Sequence, residues 1–226
     1  VYEKFVEKHY EEGICDKITD PHFMSVNRVK FDLFKKYGVM AAAGDRHLAE
    51  FVPVYVKDPE TVDAWGFSLT PVDYRIENKK ELNQKSIDYA SGEKQIPIEP
   101  SGEEGVAQIK ALLGLGDLVT NVNLPNVGQM EAPAGTIVET NAYFTKNSVR
   151  PVFAGGLPDG VKIMMDRHLE TQQMILKASC NRDLALAFEA FCNDPMLGLL
   201  DREQAKELFD SMVENTKAYL PGYEYK

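Results

Sequence analysis

The chain has 226 residues, and 25 Lys and Arg against 35 Asp and Glu give it a formal charge of −10. Its 44% hydrophobic and 27% charged residues are typical of a folded globular protein, which excludes disorder as the main state. The acidic balance argues against a general nucleic-acid binder, because phosphate backbones are bound by basic patches. It does not exclude one local cationic pocket for a small acidic ligand.

Targeting and redox signals are few. No apolar run approaches the ~18 residues of a membrane-spanning helix, and no signal peptide is recognisable. Cys15, Cys180 and Cys192 are odd in number and scattered, which argues against a disulfide scaffold and predicts a reducing, cytoplasmic location. Val1 begins directly inside a helical pattern with no capping residue before it, so we expect a preceding segment in the natural protein.

Helical periodicity dominates the first part of the chain. Apolar residues recur every three or four positions over 1–9 and over 23–37, which predicts two amphipathic helices. Gly38 follows the second segment as a helix stop. The stretch 53–76 contains three prolines and is predicted to be irregular, and 78–92 is predicted to be a polar helix or a linker.

The middle of the chain combines a helix with the best strand signals. Ser101 and Glu104 have the spacing of a capping box, which predicts a helix that starts there and ends at Gly114. Runs rich in β-branched residues then predict three strands. These runs span 118–124, 136–144 and 149–154.

The last third is helical by pattern. One long helix is predicted over 159–178, and a second one over 184–191. Asp201 and Gln204 form another candidate capping box at the start of a third helix. The sum is an α+β fold that is helix-rich with a small central mixed or antiparallel sheet, in one domain over 1–226.

The sharpest candidate for chemistry is Gly44–Phe51, where four ionisable side chains fall within six residues and apolar segments flank them on both sides. Burying charges costs free energy unless they are paired or used. Asp45 can act as a general base, Arg46 as a carboxylate clamp, and His47 as a substrate contact or metal ligand. The alternative is a helix start, in which Asp45 caps the helix and Arg46 pairs with Glu50.

Amides follow one another along the first predicted strand. Asn121 and Asn123 occupy alternate positions, which face the same side of a strand, and Asn126 follows shortly after. Amides both donate and accept hydrogen bonds and therefore suit sugar hydroxyls. Turn chemistry at the following proline explains these residues equally well.

Four other features are weaker. Residues 166–168 repeat the Asp-Arg-His tripeptide inside a polar helical pattern, which predicts a solvated face. Cys180 and Cys192 lie on helical patterns and are expected to pack as small hydrophobic residues. Cys15 with His47 offers ligand types that suit zinc or another transition metal, but one thiolate and one imidazole are too few to define a site.

Four segments resemble one known family: AAAGDRHLAEF, SGEEGVAQIKALLGLGDLVTNVNLPNVGQ, IVETNAYF and AFEAFCNDP. They are similar to the C-terminal half of glycoside hydrolase family 4, and most of all to its α-galacturonidase branch. The resemblance implies the C-terminal domain of a lactate/malate-dehydrogenase-like two-domain enzyme. The Rossmann domain is absent from this chain, which has no G-x-G-x-x-G fingerprint after a strand.

This resemblance also implies an unusual chemistry. Family members bind NAD⁺ and a divalent metal, usually Mn²⁺, mainly through their N-terminal half, and cleave glycosides by oxidation, elimination, addition and reduction. Here Cys15 follows a helix rather than a Rossmann strand, and Arg46 rather than Asn precedes His47. The resemblance therefore places GDRHLAEF after the metal-binding histidine, where base and substrate contacts are supplied, and leaves His47 as a weak metal candidate.

The site predicted from these features has Asp45 as the base that removes the proton from C2 of the sugar. Arg46, His47, Asn121 and Asn123 are the expected contacts to a uronic-acid glycoside. Asp45 is favoured because an apolar surround raises a carboxyl pKa toward the range of a general base. Arg46 is favoured because an acidic protein needs a local cation to hold a carboxylate.

The expected partners are the substrate, the protein's own N-terminal Rossmann domain and further copies of the chain, with no nucleic acid and no membrane. Oligomers are expected from the resemblance and because the apolar faces at 106–113 and 184–191 exceed what one small sheet covers. The chain alone is expected to be inactive. The alternative is a non-catalytic binding or assembly module derived from the same domain.

Overall fold

The computed structural model describes residues 1–14 and 21–223. The helices in these ranges are α1 (Tyr2–His9), α2 (Arg28–Tyr37), α3 (Asp45–Phe51), α4 (Pro59–Trp65), α5 (Val72–Ser91), α6 (Gly105–Leu112), α7 (Asp159–Asn181), α8 (Leu184–Cys192) and α9 (Arg202–Thr216). The strands are β1 (Leu118–Pro125), β2 (Ile137–Thr145) and β3 (Ser148–Pro151), which form one antiparallel sheet in the order β1-β2-β3. The predicted helix-rich fold with a small antiparallel sheet is confirmed.

The chain divides into two compact units, which we call the helical unit (Val1–Tyr74 with Pro158–Lys226) and the sheet unit (Arg75–Leu157). Among the described residues, no helix combines the length and the apolar character needed to cross a membrane.

Helix α2 is the centre of the first part of the helical unit. Val29 and Leu33 on one side belong to a core with residues of α3 and α4, and Phe31 and Phe34 on the other side pack with Val6 of α1. Such two-sided burial explains why α2 carries apolar residues around much of its circumference.

The predicted start of this helix at residue 23 is wrong, because α2 begins at Arg28. Asn27 before it has a left-handed backbone with φ 61°, and residues 21–23 form a separate 3₁₀ turn. The segment between them is extended, since its backbone bonds to a neighbouring loop. The Val26 N–H donates to the carbonyl of Gly66, at an N···O distance of 3.1 Å.

The prediction of irregular structure over 53–76 is wrong, because its prolines mark helix starts. Pro53 begins a 3₁₀ turn, and Pro59 is the first residue of α4, a position where the missing N–H costs nothing. Asp58 caps α4 by accepting the Thr61 N–H at 2.8 Å. The polar helix predicted over 78–92 is confirmed as part of α5.

In the sheet unit, one sheet face packs on α6. Even-numbered residues of β2, including Ala142 and Phe144, are buried and cluster with Ala111 of α6. The capping box predicted at Ser101 is wrong, because the Ser101 hydroxyl accepts the Glu103 N–H at 3.2 Å in a turn and α6 begins only at Gly105. The third predicted strand is shorter than expected and ends at Pro151.

The end of the helical unit follows the prediction closely. The Asp201–Gln204 capping box is confirmed at the start of α9. The apolar face of α8 is covered, since Phe188 and Phe191 both contact the ring of Phe209 on α9, at centroid distances of 5.3 and 5.5 Å. In the sheet unit, by contrast, α6 leaves three apolar side chains of its predicted face exposed, namely Val106, Ile109 and Leu113.

Two side-chain predictions in this region need correction. Cys180 is exposed on α7 rather than packed, whereas Cys192 is half-buried. Of the second Asp-Arg-His tripeptide, Arg167 is exposed as predicted, but His168 is half-buried with its ring 4.6 Å from that of Phe51. The residue Cys15 lies outside the described residues.

Candidate functional site

Asp45 is the first residue of α3, and its side chain points away from solvent. It has no exposed surface, and Oδ1 accepts the backbone N–H of Lys30 at 2.9 Å. Lys30 belongs to the first turn of α2, so Asp45 serves the start of a different helix from its own. The N-cap of α3 itself is Gly44, which has no capping side chain.

The electrostatics of Asp45 follow from this position. Burial raises the pKa of the Asp45 carboxyl above its usual value. Hydrogen bonds from the Lys30 N–H, the Ser25 hydroxyl and two further N–H groups of α2 act in the opposite direction and are the smaller effect. Helix N-termini stabilise negative charge, and desolvation destabilises it. The direction matches the pKa expected of a base, and whether Asp45 acts as one stays a prediction.

Arg46 and His47 point to two other surroundings. The Arg46 guanidinium donates from Nη1 to the Thr70 hydroxyl at 2.6 Å and lies over the Phe23 ring at 4.9 Å. His47 is exposed and pairs with Glu50 across 3.7 Å. The alternative ion pair between Arg46 and Glu50 is therefore wrong, and the three residues of the tripeptide do not converge on one point.

The structure brings Arg46 together with residues that the sequence pattern did not single out. The His22 ring stacks on Tyr74 at 4.4 Å, and the Phe23 ring meets the edge of Tyr74 at 5.7 Å. Thr70 completes this group. We call Arg46, His22, Phe23, Thr70 and Tyr74 the aromatic–arginine cluster.

These residues come from three separate segments of the helical unit: the 3₁₀ turn Pro21–Phe23, helix α3, and the loop that leads into α5 together with the first turn of that helix. The sequence patterns predicted Phe23 to lie in a helix and Tyr74 to lie in an irregular stretch. The one signal in the sequence that could have pointed here is the Thr-Pro dipeptide at 70–71, which marks the start of a helix.

Asn121 and Asn123 lie in the sheet unit, on the face of the sheet that does not contact α6. Both are exposed, and their cross-strand neighbours on β2 are Asn141 and Glu139. Asn126 has a different role, because it is buried and its amide bonds the surrounding turn, with Nδ2 donating to the carbonyl of Ala132 at 2.6 Å. For Asn126 the turn interpretation is therefore correct.

A metal ion finds no ligand set in the described part of the chain. Within 1–14 and 21–223, no three His, Cys, Asp or Glu side chains come close enough together to hold one. His47, the weak metal candidate, has Glu50 beside it. The described residues therefore do not fit a metal, and we assign no step on this chain to one.

With this geometry in place, comparison with known proteins defines the class. The family model for the family 4 glycosyl hydrolase C-terminal domain matches residues 1–197. The chain therefore belongs to glycosyl hydrolase family 4, and the region it represents is the C-terminal domain. The resemblance stated from sequence motifs is confirmed.

Individual relatives show which enzymes of this family the chain is similar to. The alpha-galacturonidase of Thermoanaerobacter italicus is 54% identical over 228 residues, which cover 99% of this chain and 50% of that protein. The alpha-galacturonidase of Bacillus subtilis is 46% identical over 211 residues, covering 92% of this chain and 46% of that protein. The chain thus spans about half the length of the curated relatives it matches.

Solved structures agree on the fold. The crystal structure of lplD from Bacillus subtilis, described as a glucosidase, is 44% identical with a TM-score of 0.84, over 93% of this chain and 49% of that one. The 6-phospho-beta glucosidase of Thermotoga maritima, solved with manganese, NAD+ and glucose-6-phosphate, is 16% identical with a TM-score of 0.63, over 97% of this chain and 48% of that one. The second likeness shows the fold alone.

Proposed function

We propose that this chain is the substrate-binding part of an NAD- and Mn-dependent glycosidase that hydrolyses α-galacturonides or related uronides. The observation that carries the proposal is Arg46, a cation held over the aromatic ring of Phe23 in a chain of net charge −10. It is supported by the 54% identity to an alpha-galacturonidase. An N-terminal domain, which we propose completes the enzyme, would hold both cofactors, and NAD⁺ supplies the hydride chemistry when bound.

The aromatic–arginine cluster offers the two kinds of contact that a uronic acid needs. A guanidinium binds a carboxylate through two parallel N–H···O bonds, and Arg46 is the guanidinium in this cluster. The C–H faces of a sugar ring pack on aromatic rings. The Phe23 ring lies under the guanidinium, and the Tyr74 ring contacts Phe23. Arg46 therefore fixes the carboxylate while the rings orient the sugar.

We keep Asp45 as the proposed base, with its raised pKa as support. The complete burial of Asp45 is the observation that argues against this role. Tyr74 also carries an ionisable group and stands within the cluster, so the test includes it. Asn121 and Asn123 are proposed to contact sugar hydroxyls, because both amides are exposed.

We also propose that the whole protein is a cytoplasmic homo-oligomer. The exposed apolar side chains Val106 and Ile109 of α6 support association, since exposed apolar patches are typical of protein interfaces. The scattered cysteines support a reducing compartment.

The test is a glycosidase assay of the full-length protein with NAD⁺ and Mn²⁺, on an α-galacturonide and the matching α-galactoside. We expect turnover of the galacturonide to require both cofactors. Arg46→Lys should raise KM for the galacturonide roughly tenfold, the effect of losing about 1.4 kcal/mol, and change KM for the galactoside little. Arg167→Lys, in the second Asp-Arg-His tripeptide, is the matched control and should change neither.

Asp45→Asn should lower kcat about 10²-fold or more if Asp45 is the base. An intact kcat in Asp45→Asn with a large loss in Tyr74→Phe would move that role to Tyr74. Turnover of the galactoside but not of the galacturonide would refute the proposed substrate class.

A further inference from the structure

Thr70 lies where three parts of the aromatic–arginine cluster meet. Its hydroxyl accepts a hydrogen bond from Arg46 Nη1 at 2.6 Å and donates to the carbonyl of His22 at 3.4 Å. Tyr74 follows four residues later, at the start of α5, and stacks on the His22 ring. One hydroxyl therefore connects the cation, the 3₁₀ turn and the helix that carries Tyr74.

The backbone around Thr70 is fixed relative to His22 independently of this hydroxyl. Ser25 and Phe67 form a β-bridge, and the Ser68 N–H donates to the Met24 carbonyl at 3.0 Å. These bonds join the two loops on either side of the cluster. Removing the Thr70 hydroxyl should therefore leave the loops in place and release mainly the Arg46 side chain.

The hydrogen bonds leave one edge of the guanidinium for a ligand. Within the described residues, both hydrogen bonds of the Arg46 guanidinium come from Nη1, to Thr70 and to the His22 carbonyl. Nε and Nη2 form the adjacent edge, which has the geometry for two parallel bonds to a carboxylate. The Phe23 ring under the guanidinium, at 4.9 Å, limits its tilt.

We propose that Thr70 is a positioning residue that sets the preference for uronides by holding Arg46 in the orientation that binds a carboxylate. The inference rests on the proposed function. An unanchored arginine keeps several rotamers, and ordering such a side chain on binding opposes affinity. Because the neutral sugar has no carboxylate to place, the loss of the anchor should affect uronides selectively.

Thr70→Val tests this, because it removes the hydroxyl and nearly keeps the shape. In the full-length protein with NAD⁺ and Mn²⁺, KM for the α-galacturonide should rise roughly tenfold while kcat stays within about twofold. KM for the α-galactoside should change less than twofold. Thr70→Ser, which keeps the hydroxyl, should restore the galacturonide KM.

Thr171→Val is the matched control, since Thr171 also bonds near an arginine, donating to the Arg167 carbonyl at 2.9 Å on α7. It should leave both KM values unchanged. A melting curve checks that each variant folds, and Thr70→Ala gives the same test if the valine crowds the site. In the Arg46→Lys background, Thr70→Val should add less than a twofold effect, because there is no guanidinium left to hold.

The outcomes separate the two proposals. If Arg46→Lys raises the galacturonide KM and Thr70→Val does not, the positioning role is refuted and the proposed function stands. An equal rise of KM for both sugars in Thr70→Val also refutes it, because that result describes a general structural role. If neither variant changes the galacturonide KM, the proposed role of Arg46 fails as well.

Discussion

Replacing Asp45 separates its structural role from its proposed catalytic one. The Lys30 N–H donates to Asp45 Oδ1 at 2.9 Å. In Asp45→Asn, the amide oxygen can still accept this bond, and the buried negative charge disappears. In Asp45→Ala, the half-buried Lys30 N–H loses its acceptor. A buried donor left without a partner costs about 1–3 kcal/mol, and a chain of this size loses about 2–4 °C of Tm per kcal/mol. We expect a fall of roughly 2–12 °C for the alanine variant and little change for the asparagine variant.

The pH dependence follows from the direction of the Asp45 shift. Its pKa in the folded chain is raised by burial above 3.8, so the folded state binds this proton more tightly than the unfolded state. The favourable contribution is therefore fully present below 3.8 and is lost as pH rises through the folded-state pKa. Lowering the pH from 7 should stabilise the natural chain relative to Asp45→Asn, which has no such proton to bind.

Thermal melts of the natural chain and both variants, at several pH values between 7 and 4, measure these effects. Glu50→Gln is the matched control, because Glu50 is an exposed carboxylate on the same helix whose partner His47 is also exposed. Its Tm should stay close to that of the natural chain at every pH, since exposed ion pairs contribute little. A large loss of Tm in Asp45→Asn at pH 7, equal to that in Asp45→Ala, would refute the reasoning.

Two further predictions concern the helical unit. Tyr10 and Tyr55 both donate a hydrogen bond to the Asp32 carboxylate, each at an O···O distance of 2.5 Å. The bond from Tyr10 to Asp32 raises the pKa of Tyr10 to about 12. The stabilising contribution of this bond is therefore lost as the pH rises through that value. Asp32→Asn should return the tyrosinate absorbance change of Tyr10 toward pH 10, and an unaltered titration would exclude Asp32 as the cause. Gly38 and Gly66 end α2 and α4 with φ of 75° and 72°, so replacing either with alanine costs about 1–2 kcal/mol in the left-handed conformation. Gly66→Ala should lower Tm more than Gly38→Ala does. A Cβ at position 66 would lie 2.6 Å from Val26 Cγ2, whereas a Cβ at position 38 would meet open space. Equal losses of Tm would show that the contact with Val26 does not matter.

The elements that sequence patterns predicted well are those governed by local rules. The strand at 118–124 and the capping box at Asp201 and Gln204 depend on alternation and on hydrogen bonds within four residues. The start of α2 was missed because it depends on distant groups. The carboxylate of Asp45 supplies the capping contact, and the backbone before the helix bonds to residues near Gly66. No local pattern contains that information.

The candidate site shows the same difference between what local patterns predict and what depends on contacts between distant residues. Asp45, Arg46 and His47 are adjacent in sequence, which made them look like one catalytic group. Successive residues of an α-helix are rotated by about 100°, so three in a row cannot all face the same ligand. Arg46 instead meets Thr70, 24 positions away, and this contact needs two loops that only the folded chain brings together. The run of ionisable residues along the sequence therefore contained one member of the proposed site, Arg46, whereas its contacts with Thr70 and Phe23 exist only in the folded chain.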